Sequence, residues 1–178
     1  MNKEMTGIWN KMSKLMDAEK YDEAYRLASR LVKMSHGDDA VPPRDKAMIQ
    51  NYAGLCLLYQ SDLDKADKHF KQALAIVDGD KVLSQSLDKG IYLLNLARSR
   101  HSAGAAAEGD SLYRQAARIH SALMEPAAPE ITTLLASCGA EAAHDENIQN
   151  LVETMAMRAI DLTEYIWVGV HGFATLSC

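Results

Sequence analysis

Residues 51–76 read NYAGLCLLYQSDLDKADKHFKQALAI. Ala53 and Gly54 form a small pair near the start, and Ala66, Phe70 and Ala73 follow at intervals of four and three. That spacing puts the last three on one face of a helix. Twelve residues separate Gly54 from Ala66, which leaves room for the rest of one helix, a tight turn near Ser61 and Asp62, and the first turn of the next. The unit then recurs along the chain. Forty-two residues before Ala66 stands Ala24, in YDEAYRLASRLVKM, and 43 after it stands Gly109, in AGAAAEGDSLYRQAARI. There Tyr113 and Ala116 keep the spacing and Gly104 marks the turn. A further 43 residues lead to Val152, followed by Ala156 and Ala159.

This pattern resembles the tetratricopeptide repeat (TPR), a helix-turn-helix unit with the signature W-x2-L-G-x2-Y, then A-x3-F, then a small residue and a proline. Leu57 stands where that family prefers Tyr, and Asp78 where it prefers Pro. The period of 42 to 43 exceeds the common one of about 34. It is similar to the kinesin-light-chain type of repeat, of which LLNLARSRHSAGAAAEGDSLYRQAARI is the best instance. The resemblance covers roughly residues 5 to 165. It implies an all-α fold, a right-handed α-α superhelix or solenoid in a single domain, 1–178. Its four repeats fall at about 5–38, 47–80, 90–123 and 133–166, and an apolar segment, 167–178, follows.

Local signals divide the chain into eight helices, at about 4–17, 21–36, 43–60, 63–77, 81–103, 106–124, 128–144 and 147–166. Pro42 and Pro43 suit a helix start, where a missing amide proton is tolerated. Asp80 after Gly79 is expected to cap the long fifth helix. Pro126 and Pro129 separate the third unit from the fourth.

In a repeat stack of this kind the inner faces of the first helices remain free for a partner. The resemblance puts Trp9, Ser13, Met16 and Asp17 on that face in the first unit, and Asn51, Leu55, Leu58 and Tyr59 in the second. It puts Ile91, Leu94, Arg98 and His101 there in the third, and Leu134, Ser137, Glu141 and His144 in the fourth. The groove thus starts apolar and aromatic and ends polar and titratable, which fits an extended or helical peptide gripped by Trp9, Met16, Leu55, Leu58 and Tyr59. Arg98, Glu141, His101 and His144 then give direction. The competing reading of the same apolar residues is that they close the stack internally. Relatives that hold acidic C-terminal peptides use a cage of Lys, Arg and Asn, for which only Asn51 and Arg98 are candidates here, so that ligand is not expected.

No cofactor or metal is expected. His101 and His144 fall at equivalent places in adjacent units, about one helix spacing or roughly 10 Å apart, whereas metal ligands sit near 2 Å. A polar groove wall is the reading adopted for them. The sequence has no Gly-rich phosphate loop, no GxSxG and no HExxH, so a non-enzymatic role is expected. Asp22 with Glu23, Asp62 with Asp64, and Asp145 with Glu146 sit at predicted helix starts, where negative charge favours the helix dipole.

The chain has 178 residues, 19 Lys and Arg against 24 Asp and Glu, and a net charge of -5, which argues against a nucleic-acid binder. Residues 1–36 hold seven basic and five acidic side chains, and residues 126–178 hold one and seven, so the negative charge gathers at the end. Lysines interrupt the first twenty residues, and no stretch approaches the roughly 20 apolar residues of a membrane span. A cytoplasmic location is expected, with no membrane partner. Cys56, Cys138 and Cys178 lack zinc-ligand spacing, and Cys56, in an apolar run, is expected in the core.

The last stretch, YIWVGVHGFATLSC from Tyr165, carries no formal charge and exposes Trp167, Phe173 and Leu176 unless something covers them. It folds back on the last helices, or forms a homodimer contact, or meets another element; self-association is the hypothesis drawn from it. The function expected is a protein-interaction scaffold or adaptor that binds a peptide or protein segment in the concave groove. Two alternatives stand beside it: a small acidic chaperone of the secretion type, shielding apolar client segments, and a ligand-sensing regulatory protein.

Overall fold

The structure, a computed structural model, describes residues 1–123. Among them are six α-helices and no strand: α1 Lys3–Asp17, α2 Tyr21–His36, α3 Pro43–Tyr59, α4 Leu63–Asp78, α5 Leu87–Ser102 and α6 Ala106–Leu123. The described fold is all-α. The helices expected at 128–144 and 147–166, the fourth repeat and the apolar end lie outside the described residues. The chain divides into two compact units, Met1–Ser84 with α1 to α4 and Gln85–Cys178 with α5 and α6.

Each hairpin closes through the same three-residue turn. In the first, the amide of Glu19 donates to the Met16 carbonyl and that of Lys20 to the Leu15 carbonyl. In the second, Ser61 donates to Leu58 and Asp62 to Leu57; in the third, Gly104 donates to His101 and Ala105 to Arg100. These paired bonds form a Schellman motif, which satisfies the last carbonyls of a helix through one left-handed residue. That residue is Glu19 at φ 57°, Ser61 at φ 61° and Gly104 at φ 78°. The three stand 42 and 43 residues apart, so the backbone itself repeats with the period read from the side chains.

Helix starts follow from local chemistry. The Asn2 side chain accepts from the Met5 amide at 2.9 Å and caps α1. Pro42 is extended, at ψ 146°, as a residue before proline prefers, and Pro43 opens α3. Asp22 with Glu23, and Asp64, occupy the first turns of α2 and α4. The long helix expected from 81 is shorter than its signals suggested. Asp80 does cap amides, those of Val82 and Leu83 at 2.8 and 3.0 Å, but it caps a 3-10 turn, Leu83–Gln85. The Ser84 hydroxyl bonds the Lys81 carbonyl and Ser86 is extended, so α5 begins only at Leu87. A serine hydroxyl that bonds nearby backbone, as that of Ser84 does, competes with helix formation.

In the first unit α1 packs on α2, α2 on α3 and α3 on α4. Arg30, late in α2, pairs with Glu4, early in α1, so these two helices run antiparallel. Tyr21 at the start of α2 stacks on Tyr59 at the end of α3, giving the same sense to that pair. Met5, Met12, Ala24, Ala28, Leu31, Ile49, Cys56, Ala66, Phe70 and Ala73 form the dry centre, each 0% exposed. Full burial of one such large side chain is worth about 1.5–3 kcal/mol. Sizes alternate between the two hairpins. A Cβ on Gly54 of α3 would lie 2.5 Å from the Phe70 ring of α4, whereas 42 residues earlier the same two positions hold Met12 and Ala28.

In the second unit α5 packs on α6. From Tyr92 to Ser99 every residue of α5 is buried, and in α6 Gly109 and Ala116 are buried where Ala66 and Ala73 stand in α4. No helix among the described residues is long and apolar enough to cross a membrane.

Candidate functional site

The best-defined face of the first unit lies along α1 and α3. Both helices run antiparallel to α2, so they run parallel to each other, and three contacts join them in register. The Met1 amine lies 2.9 Å from Asp45, the Trp9 ring sits edge-on to Tyr52 at 4.6 Å, and the Cys56 thiol approaches the Met16 sulfur at 3.1 Å. The second helices, α2 and α4, are joined in turn by Tyr25 and His69, whose rings meet at 6.0 Å and 78°. The unit is thus two layers, α1 with α3 and α2 with α4.

Of the inner-face residues expected from the sequence, twelve are described, with Ser13 and Ile91 half-buried and Asp17 exposed. Asn51 and Leu94 are 0% exposed, Leu55 is 5% and Arg98 is 8%. Side chains so covered offer a partner almost no surface, and Leu55 and Leu94 serve as packing residues. Trp9, Met16, Leu58 and Tyr59 in the first unit and His101 in the second are half-buried, and these five remain accessible. Trp9 and Met16 do two things at once: one side seals α1 against α3, and the other stays open. Glu141, His144, Trp167, Phe173 and Leu176 lie outside the described residues.

Several neighbours of this face were not anticipated. Tyr21 stacks on Tyr59 with centroids 4.7 Å apart and planes 26° from parallel, extending the apolar surface around the hairpin end. Burial there, then the nearby Glu19 carboxylate, raises the Tyr21 phenol above its ordinary value. Burial pushes the Cys56 thiol up to about 12, which makes it a core thiol with no nucleophilic character near neutral pH. The placement of Cys56 in the core matches the sequence expectation.

In the second unit His101 does not stand alone. Its Nε2 lies 2.9 Å from Asp110, the ring is tilted over Tyr113 at 5.3 Å, and Arg100 reaches Glu108 at 3.5 Å across the same turn. The imidazole leans so far over α6 that a Cβ on Gly109 would collide with its ring. In the first unit the matching residues are Leu58, Ala66 and Asp67, so a leucine over an alanine has become a histidine over a glycine. The sequence signal was available: Gly109 replaces the repeat's alanine inside a helix, where glycine costs about 0.5–1 kcal/mol. No group of three or more metal-ligating side chains occurs among the described residues.

No protein-family model matches the chain, and a comparison with curated proteins gives no match either.

Proposed function

We propose that this chain is a TPR-like helical-repeat module that binds a peptide or protein segment along the inner face of its first helices. The observation that carries the reading is the recurrence of one turn, with its left-handed residue at Glu19, Ser61 and Gly104, on the period of the side-chain pattern. Stacked hairpins of constant period pair first helix with first helix and second with second, as α1 with α3 and α2 with α4 do here. Within the first unit the half-buried Trp9, Met16, Leu58 and Tyr59 supply apolar contact.

Under this reading binding is preorganised recognition, non-enzymatic, by a cytoplasmic scaffold or adaptor that takes a protein partner rather than nucleic acid or membrane. Repeat folds host many roles, so the fold supports the class of function and leaves the partner's identity to experiment. The test is affinity capture with the full chain and with Tyr59→Ala and Trp9→Ala. A captured protein released by both variants, with helicity by circular dichroism unchanged, supports the groove. Equal capture by the parent chain and both variants refutes it.

A further inference from the structure

Among the described imidazoles, His36 is exposed and His101 lies beside the carboxylate of Asp110. His69 is different. It sits half-buried on α4, where α2, α3 and α4 meet, and its described hydrogen-bonding partners are both neutral. Nδ1 lies 2.7 Å from the Gln50 side-chain oxygen on α3, and Nε2 lies 3.5 Å from the Tyr25 hydroxyl on α2. A neutral imidazole suits both contacts: the Nδ1 proton is donated to Gln50, and the bare Nε2 accepts from Tyr25. Gln50 is itself buried, at 9% exposure, so its oxygen has little water to turn to.

We propose that His69 is an acid-sensitive joint between the first two helix pairs, which holds α4 to α2 and α3 while neutral and loosens them when it takes up a proton. A second proton makes Nε2 a donor facing a hydroxyl that had been donating to it, so Tyr25 must turn its hydrogen away. Among the described residues no carboxylate lies within ion-pair distance of the new charge. Asp22 and Arg26, flanking Tyr25 on α2, are paired with each other at 2.7 Å. On α4, Lys65 is one turn before His69 and tied to Asp62, and Lys68 adjoins it; on α3, Lys46 is one turn before Gln50. Burial opposes the added charge and holds His69 below its ordinary value.

The sign follows from linkage. An unfolded chain protonates this side chain near pH 6.5, earlier on acidification than the folded chain does. The contribution of His69 is therefore complete above that pH and drains away as the pH falls towards the folded-state value.

The inference concerns the first unit's architecture and stands apart from the peptide-binding reading. It is tested on the full chain by thermal unfolding at pH 7.5 and 5.5, with His69→Gln and Tyr25→Phe beside the parent. The expected result is a drop in Tm on acidification that is mostly abolished by His69→Gln, which keeps a donor for Gln50 but cannot titrate, and is reduced in part by Tyr25→Phe, which removes the hydroxyl that Nε2 faces. An equal drop in parent and His69→Gln overturns the proposal. Imidazole NMR on the parent chain decides the matter independently of how the variants fold. A His69 resonance that titrates below the ordinary imidazole value of about 6.5 supports the joint, and one that titrates at or above it rejects it.

Discussion

The α3–α4 and α5–α6 hairpins share a turn residue for residue, yet the two pack differently beside it. Both end their first helix with the same two backbone bonds and send the next helix off after three residues. In the first, an aromatic ring, Phe70, fills the space left by Gly54. In the second, the corresponding residues are Ala97 and a half-buried Tyr113, and the close approach has moved to Gly109 beneath His101. One backbone therefore accepts two fillings, an apolar one and an ionisable one. A glycine marks the point of contact in each.

The largest effect expected from disturbing this pair of hairpins is at Phe70. Phe70→Ala removes a fully buried ring and should cost about 3–5 kcal/mol in denaturant unfolding, because Gly54 has no side chain with which to fill the hole. Next comes Gly109→Ala, which forces the methyl into the His101 ring and should cost about 1–3 kcal/mol. The same change made in a His101→Leu background recreates the Leu58 and Ala66 pairing. There it should cost much less or become stabilising by up to about 1 kcal/mol, the helix preference for alanine over glycine. A double-mutant cycle reads this coupling directly, and a cycle with no coupling would show that the two residues do not contend for space.

The turns give a smaller, opposed pair of effects. Ser61→Gly relieves a left-handed residue and should stabilise by about 0.4–1 kcal/mol, whereas Gly104→Ala imposes the same strain and should destabilise by a similar amount. If both changes moved Tm in one direction, the equivalence of the turns would fail. The least effect is expected from Arg26→Ala: its ion pair with Asp22 is exposed on both sides, at 75% and 65%, and its loss should leave Tm unchanged within error.

The all-α class and the 42-to-43-residue period were readable because small residues at Gly54, Ala66 and Ala73 advertise close helix contact. The turn sites were partly readable. Gly104 announces a left-handed residue, but Glu19 and Ser61 adopt the same conformation without a residue type that favours it, because hydrogen bonds on either side hold them there. The start of α5 was misread for a related reason. Asp80 carried the right capping chemistry, and what it caps was decided by Ser84 beyond it.

The candidate groove was less legible than the fold. Position in a repeat says which face a residue lies on, not how deeply its neighbours cover it, and Asn51, Leu55, Leu94 and Arg98 are covered. The contacts of His69 with Gln50 and Tyr25 bring together residues from three helices at separations of 19 and 44, with no pattern in the sequence to pair them. The His101 and Asp110 pair spans a turn that the sequence did locate, so it is the contact that a sequence reading came nearest to finding.

The exchange of large and small residues between hairpins, Met12 with Ala28 and Phe70 with Gly54, bears on how the chain avoids folding into itself wrongly. A protein built from copies of one hairpin risks joining a helix to another copy's mate, since the described turns match and the helices differ little in length, from 15 to 18 residues. If α1 closed on α4, Met12 and Phe70 would contend for one space; if α3 took the place of α1 as the hairpin mate of α2, Gly54 and Ala28 would leave a void. Within the first unit each of these misassembled pairs is thus either overfilled or hollow. Volume works here as an address, telling otherwise interchangeable helices which partner is their own.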